Sequence, residues 1–570
     1  MDRRSFITSP AEFVSSVDDS HDAGTSAVSQ FANKTLPRIP HTSSGLDPLA
    51  TVPTHDQIAH LLRRTMFGAR ETDVATLLGM SISGILSTLL ADQPAPAPPL
   101  NTSSSDTTVP IGQTWVTAAK LNADGTNPNG ARITSFKSWW IGRMLSQGIS
   151  LVEKMTLFWH NHFVSETAVV GDARFSYMQN ALFRQYALGN FRTLAGLVTI
   201  DPAMLRYLNG NTNTKSSPNE NYGRELQELF TIGKGTEISP GNYTYYSEAD
   251  VQTAAKVLTG WRDDQTNLNS YFTLSRHDTT NKQFSSDYQN TLVTGSSDPG
   301  GLVEINAMLD MIFAQTETAR YICRKFYRWF VYYVIDDVIE ANIIDPLASI
   351  LISNNYEVKP VLETLLASQH FFDPANVGCV IKNPIDLSVG MCRQMNMAFP
   401  SSSALATQYN HWNHVRTQAA GMQLDPGDPP NVAGWPAYYQ SPEFHELWIN
   451  SDTLPKRNQY TDTLNGSGYK NGGFTLAVDP IAFVNTVSNP SDPNVIVSEF
   501  AQRLFPIALT ANQIQFLHDI LLPGLPDYEW TAEWTDYQNN PTDSAKQAAV
   551  QSKLQALLTF MMDMAEFQLM

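Results

Sequence analysis

Apolar residues recur at helical spacing along most of this chain. Thr54 can cap a first helix that carries Ile58, Leu61 and Leu62 on one side, with His55 in its first turn. A second apolar stretch runs from Val74 to Leu90, and residues 131–263 read as mostly helical. Three segments there have their own start signals. Ser150 and Glu153 fit a capping box, and Leu151, Met155, Phe158, Trp159 and His162 then share a face, with His160 opposite. Ser217-Pro218-Asn219-Glu220 fits another, followed by Tyr222, Leu226, Leu229 and Phe230. Ser247 and Asp250 open the third, with Val251, Ala254, Ala255 and Leu258. The patterns predict helices over 151–163, 218–232 and 248–260. Further helical patterns cover 302–313, 316–335, 341–353, 357–371 and 384–398, and the chain ends in helical periodicity over 494–570.

The pattern breaks in a few places. Residues 1–50 are rich in Ser, Thr, Asp and Pro and read as a polar, disordered leader. Residues 93–112 form a Pro/Ser/Thr-rich insertion, and 209–215, 264–300 and 421–450 read as irregular, with short strands within 264–300. The expected fold is mainly α: a multi-helix globular body over 51–450 with long irregular loops and minor β. A polar linker and a helical region over 451–570 then pack on that body.

Composition narrows the function. Thirty-seven basic residues against 55 acidic ones argue against general nucleic-acid binding. No run of about 18 apolar residues exists, so no transmembrane segment is expected. Cys323, Cys379 and Cys392 are too few for a disulfide framework, and no CxxC supports a zinc module. There is no phosphate-binding glycine loop, nucleophile elbow or HExxH. Arg3-Arg4 resembles the start of a twin-arginine signal, but Asp18, Asp19 and Asp22 fall where its apolar stretch belongs.

Three clusters could carry chemistry. The first is Trp159-His160-Asn161-His162-Phe163, read either as metal ligands or as a hydrogen-bonded core histidine among aromatics. The second holds Arg224, Glu225 and Glu228. Two carboxylates three apart can bind a metal, form an acid–base pair, or simply hold an arginine. The third is His277-Asp278, in the segment after the third helix. A shared pocket would satisfy all three, so the expectation is that His162, with His160 or His277 and Glu225 or Glu228, meet in one cavity. Glu225, Glu228 and Arg224 are the catalytic candidates. His160, His162, His277 and Asp278 are the metal candidates, for iron, manganese or zinc. The Asn209–Asn213 loop lacks the aspartates of a calcium site, and nothing near His411 and His414 completes a site.

At these motifs the sequence resembles a bacterial family known as domain of unknown function number 1800. The resemblance rests on His60-Leu61-Leu62-Arg63-Arg64, Phe67-Gly68, the 158–163 block, and Asn219 to Phe230. It continues through Ala254 to Trp261, His277-Asp278 with Lys282, Lys325-Phe326, Lys382-Asn383-Pro384 and Pro429 to Pro436. It covers about residues 54–460, although no glycine follows soon after Lys282. The resemblance implies a mainly helical protein, often exported, and often encoded beside a second protein similar to sulfatases and alkaline phosphatases. It implies no activity. The readings are therefore an extracytoplasmic metal-dependent enzyme of unread reaction, a structural or assembly protein of the cell envelope, or a carbohydrate-binding protein. The last rests only on the chain's 11 Trp and 21 Tyr.

Overall fold

The computed structural model describes Thr42 and residues 44–570. The polar leader and its Arg3-Arg4 pair lie almost wholly outside the described residues. Those that are described from its end are pinned: Leu49 N–H donates to Ala367 O, and Ser44 Oγ donates to Asp373 at 2.8 Å. The protein is mainly α. Among the described residues, β structure is limited to four two-stranded antiparallel hairpins, such as Trp261–Asp264 with Asn269–Phe272. No helix among them is long and apolar enough to cross a membrane.

The central element is the histidine helix, Val152–His162. Its apolar face carries the expected Met155, Phe158 and Trp159, but its polar face is buried as well. Glu153 therefore does not close a capping box with Ser150. It accepts from Arg184 at 2.7 and 2.9 Å and from the Trp140 indole at 3.2 Å. Lys154 meets Asp386 at 2.5 Å. Burial pulls the Lys154 amine down and pushes the Asp386 carboxyl up, so each needs the other.

Of the four expected helix starts, two form as capping boxes, and neither the Ser150/Glu153 box nor the Ser217/Glu220 box does. Thr54 with Gln57 opens His55–Thr65, and Ser247 with Asp250 opens Glu248–Val257. The segment expected as one regular helix over 218–232 is instead a short α-helix, Asn221–Glu225, running into a π-helix, Leu226–Phe230. Its start is set by Asn219 Oδ1, which accepts from Asn221 N–H at 2.9 Å, and not by Ser217. Gly223 lets it lie against the Glu248–Val257 helix: a Cβ there would sit 3.2 Å from Ala255 N.

The insertion over 93–112 has no regular structure but is tied to the body. The Trp139 indole donates to Ala97 O at 2.9 Å, and Tyr409 hydroxyl accepts from Leu100 N–H at 3.0 Å. The expected polar linker after 451 is corrected by the helix Thr453–Asn465 and the hairpin Tyr469–Asn471 with Phe474–Leu476. The C-terminal helices share one hydrophobic core with the body. Lys382 Nζ also donates to Phe567 O at 2.5 Å, and Met570 N–H donates to Val380 O at 2.9 Å.

Candidate functional site

Four motif segments, far apart in sequence, meet at the C-terminal end of the histidine helix. The loop from Pro429 to Pro436 docks on it. Asn161 Oδ1 accepts from Trp435 N–H at 2.9 Å, and His160 Nε2 accepts from Gly427 N–H at 3.2 Å. Gly434 is required here. Its φ is +97°, and a Cβ would lie 2.4 Å from Asn161 Oδ1. His160 faces Trp140 and Trp435. Burial lowers its pKa to about 4, so the ring is a neutral packing group at neutral pH.

His162 lies on the other face, stacked beside Phe158. Its Nε2–H donates to Phe230 O at 3.0 Å, at the end of the π-helix. That bond fixes the tautomer and leaves the Nδ1 lone pair free to accept. Lys325, from the helix Thr316–Phe330, fills that role: its Nζ donates to Nδ1 at 3.1 Å and to Leu229 O at 3.0 Å. Tyr321, one turn earlier, donates to the same carbonyl at 3.0 Å. Burial holds His162 well below its ordinary pKa, and the Lys325 charge adds to this. Burial, with the nearby Arg328 charge, pulls the Lys325 amine down to about 7. Among the described residues no carboxylate pairs with Lys325.

Glu225 and Glu228 project from the same motif helix but have different surroundings. Glu228 accepts from Tyr246 hydroxyl at 3.0 Å and from Lys234 at 3.4 Å. Glu225 is partly exposed and has no hydrogen-bond partner among the described residues. Partial burial, helped by the Glu228 charge, raises its carboxyl to about 7. Its field reaches the phenols of Tyr207 and Tyr321. Arg224 is held by neither. It pairs with Glu248 and, at 3.3 Å, with Glu220.

His277 and Asp278 belong to another network. His277 Nδ1–H donates to Thr259 O at 2.8 Å, and Nε2 meets Glu304 Oε1 at 2.9 Å. Lys282 Nζ reaches the second Glu304 oxygen at 2.5 Å and also donates to Asp278 O. Burial alone would raise the Glu304 carboxyl, but the bonds from His277, Lys282 and Ser296 outweigh it and hold it low. The structure thus brings His162 and the Glu225/Glu228 helix together but gives His160 and His277 separate partners. Sequence reasoning missed Glu304, and it named Lys325 only as part of a motif, without a place in the site.

The donor set does not fit the expected divalent metal. Both nitrogens of His162 and of His277 already have partners, and Nε2 of His160 is engaged. Among the described residues no group of three or more His, Cys, Asp or Glu could hold a metal ion. A cavity of about 530 Å³ abuts the docked loop at Asp428, Pro430 and Trp435, and one of about 710 Å³ opens beside Tyr177 and Arg184. Neither is lined by Lys325 or Glu225.

No curated protein and no solved structure matches this chain. A family model described as a protein of unknown function, DUF1800, matches residues 60–569. That range takes in the motif junction, the His277 network and the C-terminal helices that complete the core, and the chain belongs to the DUF1800 family.

Proposed function

We propose that the protein is an enzyme that works by proton transfer without a metal, with Lys325, His162 and Glu225 as its acid–base groups. The carrying observation is the bonding of Lys325: a half-buried ammonium that has a neutral imidazole and a carbonyl as partners and no counter-charge. A purely structural lysine gains from a carboxylate, whereas an amine kept close to neutrality suits general-base or nucleophilic work. Glu225, also unpaired, supplies a second group poised near pH 7. The π-helix beneath them agrees with this, because such distortions recur at functional sites.

The competing reading, a structural or assembly protein, draws on the many motif side chains that tie helices together, such as Lys154–Asp386 and His277–Glu304. Turnover decides between them. The purified protein should be screened against carbonyl, ester and phosphoester substrates with a chelator present. Any turnover found should fall at least ~100-fold in K325M and in E225Q, the range expected for a general acid or base. Turnover that survives both substitutions, or that the chelator abolishes, would rule this site out.

A further inference from the structure

The helix Thr316–Phe330 carries four cations along its exposed side, and they are treated in two ways. Arg320 meets Asp345 at 2.6 Å, and Arg324 is held by Glu317 at 2.5 Å and by Glu340 at 2.6 Å. Lys325 and Arg328, three residues apart and therefore neighbours on the helix surface, have no carboxylate partner among the described residues. Arg328 donates through Nε to Tyr333 O at 3.2 Å and lies over the Phe444 ring at 5.5 Å. Among the described residues its two terminal nitrogens have no acceptor, which leaves a planar fork suited to a carboxylate or phosphate. Both side chains are partly exposed. Around them stand Tyr321, His162 and the carbonyls at the end of the π-helix. Glu228 is turned to Tyr246 and Lys234, and the Glu225 charge acts on Tyr321.

This deepens the acid–base reading and rests on it. We infer that Lys325 forms an imine with a carbonyl compound that also carries an anionic group, which Arg328 holds. Lys325 first passes its ammonium proton to His162 Nδ1, already aimed at it by the bond from Nε2–H to Phe230 O. The amine lone pair then attacks the carbonyl carbon. The N–C bond forms as the C=O π pair moves to oxygen, and the imidazolium returns its proton to that oxygen. The second amine proton follows, the C–O bond breaks, and water leaves as the C=N bond forms. The step consumes one ammonium group and one carbonyl, yields one protonated imine and one water, and involves no redox change. Arg328 supplies charge that a neutral carbonyl compound would not use, so the preference should be for the anionic member of any pair.

Pyridoxal 5′-phosphate and pyridoxal are such a pair, with the same aldehyde and different charge. The full-length protein is incubated with each, reduced with borohydride, digested, and mapped by mass spectrometry. The expected result is a reduced adduct at Lys325 at least ten times faster than at the median lysine, and faster with the phosphate than with pyridoxal. R328Q should remove that preference while Lys325 still reacts. Labelling of Lys325 at or below the median overturns the imine. Equal rates with the two aldehydes overturn the role of Arg328. Failure here together with substrate turnover that depends on Lys325 and Glu225 would remove the covalent step and leave the acid–base site standing. Loss of that turnover dependence would remove the site itself.

Discussion

Two buried centres in this molecule pair a histidine with a lysine, and they differ in one group. At His277 the lysine, Lys282, shares a carboxylate with the imidazole, since Glu304 reaches both. At His162 the lysine, Lys325, faces the imidazole directly, with Leu229 O as its other acceptor and the Tyr321 ring beside it. The first has its charge compensated and ties the 259–282 segment to the helix Leu302–Phe313. The second holds its amine near neutrality through burial, with no carboxylate among the described residues to offset the charge. A buried charge with a fitted counter-charge is a structural device; a cation left without one costs stability that only another use offsets. The family motifs run through both centres, so motif membership does not separate them, but the carboxylate does.

The comparison can be broken at either centre. The largest effect is expected from E304A, which leaves Lys282 and His277 buried without their carboxylate. Denaturant unfolding should show a loss of about 3–5 kcal/mol, and a loss under about 1 kcal/mol would mean the network holds little. G434A comes next, because it forces a side chain into a φ of +97° against Asn161. Such positions cost about 1–3 kcal/mol, and the histidine-helix end that positions His162 should loosen, seen as faster amide exchange around residues 160–163. No change in exchange there would show that the docked loop does not shape the site.

K325M should behave unlike E304A. It removes a cation that burial disfavours, and Leu229 O keeps Tyr321 as donor. Only His162 Nδ1 loses its partner, a cost of about 1–3 kcal/mol set against the relieved desolvation. The smallest effect belongs to E225Q. The Glu225 carboxyl is raised from 4.5 to about 7, so the stability linked to its protonated form is complete below pH 4.5 and is lost as pH rises through 7. The variant should match wild type at pH 5 and exceed it slightly at pH 8. A variant that is less stable at pH 8 would show that Glu225 has a partner in solution.

Much of the fold could be read from periodicity, and part of the site could not. The Thr54 cap and the Ser247/Asp250 start are local signals and both form, Thr54 closing a capping box with Gln57. Ser150/Glu153 has the same pattern, but its helix is buried on every side, and Arg184 and Trp140 claim the glutamate. The π-helix over Leu226–Phe230 changes the phase on which the Glu225/Glu228 pairing was reckoned, and nothing in the local spacing announces it. His162 could be foreseen as a buried imidazole needing a partner. That the partner is Lys325, 163 residues later, could not. Lys325 stands in the sequence as part of the Lys325-Phe326 motif within a helical pattern that also carries Arg320, Arg324 and Arg328, and nothing there singles it out chemically. Its distinction is a missing carboxylate, which exists only in three dimensions. Glu304 was hidden for a similar reason: an acidic residue in the first turn of a helix has an ordinary local explanation in the helix dipole.

The central claim is that Lys325 is an uncompensated amine and not a structural tie, and K325M tests it most directly. The measurement is the difference in unfolding free energy between wild type and K325M across pH 6–10. The Lys325 amine is depressed from 10.5 to about 7, so the stability linked to its neutral form is complete above pH 10.5 and is lost as pH falls through 7. At pH 7 the variant should therefore lie within about 1 kcal/mol of wild type or above it, and the difference should move in favour of wild type as pH rises toward 10. A variant destabilised by about 3–5 kcal/mol at every pH, as expected for E304A, would contradict the account.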